Sequence, residues 1–234
     1  MIYKRPDSII ISDAKYIEKY KCIESAKKRL FNIGAGSWEH EFWSNLDLPA
    51  QTEAYAAIQA PCISVDLVKD KKLPIESNSV DLFYCSHVIE HLPERDVQKM
   101  FNEAYRCLDE NGCIRIVTGP TAEFDLDALI RNDTDWWFWM DDHDFIEALD
   151  KTLPPMTIYD RWLHHIATPR SIYSHTPSDK KFNSNEIKKY VDDNIRFPEK
   201  IFDFFTKDIP FNIDAPENHI SWWNFDKLKT FLQN

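Results

Sequence analysis

Two of the four glycines of this chain stand together in RLFNIGAGSW, directly behind the apolar run Leu30, Phe31 and Ile33. With no Cβ, Gly34 and Gly36 can turn tightly off a strand end and let a ligand lie against the main chain, where bulkier residues would block it. Asp47 closes the next apolar run and Asp66 the one after. A carboxylate at the C-terminal edge of a strand can accept hydrogen bonds from ribose hydroxyls, and a charged hydrogen bond of that kind is worth about 1.5–3 kcal/mol. These residues are the means of holding a nucleotide-like cofactor. The dinucleotide fingerprint G-x-G-x-x-G needs a third glycine where this chain has Glu39, which disfavours a pyrophosphate cofactor and nicotinamide chemistry.

Proton transfer near neutral pH asks first for histidine, and the chain offers His87, His91, His143, His164, His165, His175 and His219. His143 lies in the run DDHD, which reads as helix capping rather than as a metal cluster. Hard cations need several oxygens converging in space, and consecutive residues point in different directions. No metal is expected. Trp136, Trp137, Phe138 and Trp139, with Trp162, Trp222 and Trp223, supply aromatic faces beside acids, the surface chemistry of a sugar or amine site. Most of them are needed as core, because an insertion without a sheet of its own must bury large side chains; two or three are left to face a substrate.

Five short apolar runs position these groups: Leu30 to Ile33, Phe42 to Leu46, Cys62 to Val65, Val80 to Cys85 and Cys113 to Val117. Between the fourth and fifth, Pro93 opens a helix with Val97, Met100, Phe101, Ala104, Tyr105 and Leu108 at i, i+3, i+4 steps, stopping at Asn111 and Gly112. A strand, a crossover helix and a further buried strand predict an α/β fold with a doubly wound, mostly parallel sheet. Only ten residues separate Gly36 from Asp47, too few for a full helix, so the first crossover must be abbreviated. Helical spacing and the run Lys27, Lys28, Arg29 predict a helical cap over 1–29; the core is expected over 30–120. From 121 to 234 the texture changes to an aromatic-rich lid, mostly helical or irregular. Short helices are expected after Asp141 or Asp142 and after Asn224.

The net charge of −11, from 28 Lys and Arg against 39 Asp and Glu, would repel a phosphate backbone and argues against nucleic acid as a partner. The five cysteines show no metal spacing and read as reduced. No apolar stretch approaches the roughly 20 residues of a bilayer span, and the N-terminus lacks a secretory layout, so a cytoplasmic protein is expected. The composition leaves a homo-oligomer open.

The stretch from Arg29 to Thr118 resembles the class I S-adenosylmethionine-dependent methyltransferases, type 11 group, with their Rossmann-like fold. FNIGAGSW is similar to that family's first motif, NLD to its acidic strand end, SVDL to the next motif, and LPIESNSVDLFYCSHVIEHL to its run LPF-x-x-NS-x-D … SH-x-LEH. The resemblance implies S-adenosyl-L-methionine as cofactor. Gly34 and Gly36, with Asn32 and Ala35 of the same motif, would hold its methionyl part and Asp47 its ribose. Asp66 and Leu67 would flank the adenine, and Ser86 and His87 would lie beside the sulfonium. It makes His87 the first candidate for a base, with His143 second. Members of the family end in a further helix and an antiparallel strand pair, whereas this chain stops at TFLQN. The function expected is methyl transfer to a small-molecule or saccharide acceptor, with glycan or cell-surface polysaccharide biosynthesis as context. The alternative is a methyltransferase-like binding or scaffolding protein without catalysis; cofactor binding separates the two.

Overall fold

A computed structural model describes residues 29–51, 53–119 and 121–233. The helix expected before Arg29 lies outside the described residues. Within them, five strands form one sheet: β1 (Leu30–Ile33), β2 (Trp43–Asp47), β3 (Ile63–Ser64), β4 (Val80–Ser86) and β5 (Leu108–Val117). The order is β3-β2-β1-β4-β5, and every pairing is parallel. Strand order therefore reverses between β1 and β4, the place in an open parallel sheet where ligands collect beyond the carboxyl ends. Phe31, Ile33, Leu46, Phe83 and Cys85, which the register places on one face of the sheet, are buried, as is Val80 at the start of β4.

The abbreviated first crossover is real. Residues 34–42 join two parallel strands without a helix, where a dozen or more residues are usual. Aromatic packing and one amide replace the helix. Trp38 lies edge-on to Trp43 and stacks on His40, while the buried Asn45 donates from Nδ2 to the carbonyl of Trp38 at 2.8 Å. A single turn, α1 (Glu53–Ala56), follows β2.

The helix expected from Pro93 runs as α2 (Glu94–Cys107), with Val97, Met100, Phe101, Ala104 and Cys107 buried and an acidic first turn that complements its dipole. Tyr105, counted on the apolar face in the sequence, is 83% exposed. The helix also ends four residues before Asn111, because β5 begins at Leu108 and is ten residues long. The register slips between Val80 and Leu82, which face Leu108 and Cys113. Gly112 sits in the slipped stretch, where an added Cβ would lie 2.5 Å from the Val80 carbonyl oxygen, so only glycine fits there.

Arg106 ties the segment before β4 to α2. It donates to Glu103 from Nε and Nη2, and to the carbonyls of Ile75 and Leu73 at 3.1 and 3.2 Å. The hydrogen bond from Arg106 holds the Glu103 carboxyl below its ordinary value of 4.5. A carboxyl depressed in the folded state adds stability above that ordinary value and loses it as pH falls through the folded one. The expected result is an unfolding free energy that declines below about pH 4.5, with a shallower decline in Arg106→Ala, which also loses about 2 kcal/mol at neutral pH. Urea unfolding across pH checks both.

The described residues fall into two compact units, one running to Ser86 with Lys99–Val117, the other taking His87–Gln98 with Thr118 onward. The second unit owes its early piece to main-chain pairing: the Glu90 carbonyl accepts the N–H groups of Ile220 and Ser221 at 2.8 and 3.1 Å. Its regular elements among the described residues are helices, with irregular stretches between them: short 3-10 turns at Ile89–His91 and Thr168–Arg170, α3 (Ala122–Ile130), a 3-10 segment at Thr134–Asp141, α4 (His143–Ala148), α5 (Ile158–Ile166), α6 (Ser184–Asn194), α7 (Pro198–Thr206) and α8 (Phe225–Gln233). No strand pair follows β5 among the described residues. Trp137, Trp162, Leu163, Ile166, Phe202, Phe205 and Trp222 form its core, and Asn183 and Thr157 cap α6 and α5 through reciprocal capping boxes. Helix α4 begins at the Asp142 cap and α8 after Asn224, whose Oδ1 accepts the Lys227 N–H at 2.8 Å. Both starts match the sequence reading.

Candidate functional site

In the first unit the glycine loop follows β1, Asp47 ends β2 and Asp66 follows β3. Gly34 and Gly36 both take left-handed backbone, φ +68° and +58°, which side chains with a Cβ rarely adopt. The loop they form is fixed at both ends. Gly34 donates its N–H to Leu46, Gly36 donates to the Asp47 carboxylate at 2.7 Å, and Ala60 donates to the Gly36 carbonyl. The other Asp47 oxygen accepts the N–H of Leu48 at 2.7 Å. Asp47 thus ends β2 as expected and also shapes the glycine loop, a role the sequence did not reveal. Asn32, in β1, and Ala35, between the two glycines, are buried.

Asp66 follows β3 and closes a turn: its Oδ1 accepts the N–H groups of Val68 and Lys69, both at 3.0 Å, and Lys69 pairs with it at 3.2 Å. Partial burial raises the Asp66 carboxyl, but the Lys69 and Val68 hydrogen bonds outweigh this and leave it below the ordinary range. Leu67 beside it is half-buried, and Ser86 is the last residue of β4.

The second unit opens on His87, whose backbone is left-handed at φ +54°, a costly conformation for a residue with a bulky side chain. Its Nδ1 lies 3.4 Å from the fully buried Glu90 carboxylate. That contact raises the imidazole's proton affinity above its ordinary value against the opposing pull of partial burial. Gly119 leaves room for the ring: a Cβ there would lie 2.9 Å from it. Glu90 also accepts hydrogen bonds from the Thr118 hydroxyl and the Gly119 N–H, both at 3.2 Å.

The remaining histidines separate by position. His164, His165, His175 and His219 line one cavity of 340 Å³ in the second unit, with Trp139, Phe145 and Tyr173 among its walls. Burial among neighbouring imidazoles pushes His219 down to about 3 and His164 to about 4, so both are neutral at physiological pH. His91 and His219 face each other with ring centroids 4.8 Å apart. His143 stays apart, exposed at the start of α4 and outside the cavity lining. Asp142 caps that helix and Asp141 pairs with Arg161, so the DDHD run is structural. Of the aromatic cluster, Trp137, Trp162, Trp222 and Trp223 are core, while Trp139 reaches the cavity.

Sequence reasoning missed Glu90 and the cavity. A carboxylate between Ile89 and His91 in an otherwise apolar run was the available signal for the first. The cavity draws its walls from residues 139 to 219 and has no local signature.

The family model described as "Methyltransferase domain" matches residues 45–116. No curated protein matches the chain. Among solved structures, similarity is found to a protein of Methanococcus maripaludis assigned as an S-adenosyl-L-methionine-dependent methyltransferase, at 21% identity, 51% coverage of this chain, 64% of that chain and TM-score 0.33. A SAM dependent methyltransferase from Archaeoglobus fulgidus gives 18%, 50%, 57% and 0.35, and one from Aquifex aeolicus 17%, 48%, 72% and 0.29. The chain thus spans less than two thirds of the first two structures it resembles. Residues 45–116, which match that methyltransferase-domain model, carry the Asp47 strand end, β3, β4, the SHVIEH turn and most of β5.

Proposed function

We propose that this chain is an S-adenosylmethionine-dependent methyltransferase acting on a small-molecule acceptor. The observation that carries the reading is the loop after β1, where two left-handed glycines are tied to the end of β2, Gly34 through the Leu46 carbonyl and Gly36 through the Asp47 carboxylate, at the point of strand-order reversal. The fit to the cofactor is chemical. A carboxylate has about four acceptor positions, and the two backbone N–H groups on Asp47 leave the others for ribose hydroxyls. On this reading Asn32, Gly34, Ala35 and Gly36 hold the methionyl part, Asp66 and Leu67 flank the adenine, and Ser86 and His87 lie at the sulfonium.

The cofactor supplies an activated methyl group, and alignment of acceptor with methyl accounts for roughly 7–11 kcal/mol of barrier lowering. His87 takes the proton where the acceptor is a hydroxyl or a protonated amine, and Glu90 orients its ring and balances the charge it gains. The acceptor is small or saccharide-like: the cavity of the second unit combines the aromatic faces of Trp139 and Tyr173 with neutral imidazoles. That chemistry suits a sugar hydroxyl and supports a glycan or cell-surface polysaccharide context. No disulfide joins the described cysteines, in keeping with a cytoplasmic enzyme, and no described helix is long and apolar enough to cross a membrane.

Methyl-labelled S-adenosylmethionine offered with a panel of sugars and other small acceptors tests the activity. Label should appear in an acceptor, and His87→Ala should slow turnover by about 100-fold or more while leaving cofactor affinity nearly intact. Bound cofactor with no transfer to any acceptor would move the assignment to a non-catalytic binding protein.

A further inference from the structure

We propose that Glu90, His91 and His219 bind one divalent transition-metal ion of the zinc class. One ligand atom from each lies within 4.8 Å of the other two.

His91 has its Nδ1 3.1 Å from the Asn218 carbonyl oxygen, and His219 has its Nδ1 against the His165 carbonyl oxygen. A carbonyl only accepts, so both Nδ1 atoms carry protons. In the neutral rings the lone pairs then sit on Nε2. Metal-binding histidines are oriented in this way, one ring nitrogen donating to a backbone carbonyl while the other meets the ion. The third member, Glu90, is fully buried, and no Lys or Arg pairs with its carboxylate among the described residues. Its carboxylate accepts from two neutral donors, the Thr118 hydroxyl and the Gly119 N–H, and lies 3.4 Å from His87, so an ion held between it and the two imidazoles would supply the positive charge that a buried carboxylate calls for.

The backbone holds this geometry in place. Glu90 is bonded through its carbonyl to Ile220 and Ser221, and Ile89 accepts from the Ser221 hydroxyl at 2.9 Å and from the Trp223 indole at 3.1 Å. His219 is pinned on both sides by Thr168, whose N–H donates to its carbonyl and whose hydroxyl accepts its N–H, each at 3.1 Å. Ligands about 2.0–2.2 Å from a tetrahedral ion lie roughly 3.4 Å from one another, so closing the site needs side-chain movements of under about 1 Å each.

Two nitrogens and one carboxylate oxygen select zinc and its neighbours over magnesium or calcium, which take oxygen ligands in larger number. Three protein ligands leave a fourth position for water or another molecule, the pattern of a catalytic rather than a closed structural site. His219 also belongs to the cavity wall, so an ion here would stand where a molecule in the cavity can reach it. The assignment revises the sequence-based expectation of no metal. It is independent of the proposed cofactor, and a failure to bind S-adenosylmethionine would leave it standing.

Full-length protein stripped with chelator should take up one equivalent of Zn²⁺ in calorimetry and develop visible d–d absorption with Co²⁺ from nitrogen ligation. His91→Ala and His219→Ala should each weaken Zn²⁺ binding about 100-fold or more, whereas His40→Ala in the first unit should leave it unchanged. Circular dichroism establishes that the variants are folded. If His219→Ala is not, His91→Gln and the Co²⁺ spectrum of the unaltered protein decide the matter. No saturable uptake, uptake that survives the His91 variants, or a Co²⁺ spectrum of the hydrated ion would overturn the site.

Discussion

Asp47→Ala is expected to weaken S-adenosylmethionine binding by about 10- to 150-fold, the equivalent of one charged hydrogen bond of roughly 1.5–3 kcal/mol. Two losses coincide in this variant. The ribose hydroxyls lose their acceptor, and Gly36 loses the carboxylate that receives its N–H at 2.7 Å, which frees a loop otherwise held in left-handed backbone. Asp47→Asn keeps one oxygen for the glycine and should fall between the two. Calorimetric titration of the three proteins reads the order directly, and equal affinities would remove Asp47 from the cofactor site.

The largest effect on stability is expected at Trp223, where alanine should cost about 3–5 kcal/mol. Its side chain is fully buried and packs edge-on against Phe231 with centroids 5.0 Å apart. Its indole N–H is shared between the Ile89 carbonyl and the Ser221 hydroxyl, and its carbonyl accepts from Ala122. Trp162 provides the comparison: it is equally buried, but its indole N–H has no partner among the described residues. Phenylalanine at 223 gives up hydrogen bonds that phenylalanine at 162 does not, so Trp223→Phe should be the more damaging by about 1–2 kcal/mol. Urea unfolding of both variants measures the difference, and equal losses would mean that the Trp223 hydrogen bonds contribute nothing net.

The parallel sheet was legible because its strands are short apolar runs bounded by polar turns, and the glycine pair marks where β1 must turn. Boundaries were less so. The sequence carries helical spacing through Leu108, but pairing with Val80 claims that residue for β5, a tertiary preference that local periodicity cannot express. Tyr105 keeps the helical period and still faces solvent. At the site, strand-end acids could be found because each closes an apolar run. The Asp47 bond to Gly36 could not, since it depends on how the shortened crossover folds back. The histidines illustrate the same limit: residues 87, 91, 164, 165, 175 and 219 are scattered in sequence, and helix packing in the second unit alone collects them around Glu90 and the cavity. His143 had the more suggestive neighbours, yet they cap a helix.

The central claim is tested most directly by calorimetric titration of the full chain with S-adenosylmethionine and S-adenosylhomocysteine, with NAD as the comparison ligand. The account predicts micromolar, one-to-one binding of the first two and none of NAD. Binding of NAD alone, or of none of the three, would contradict it.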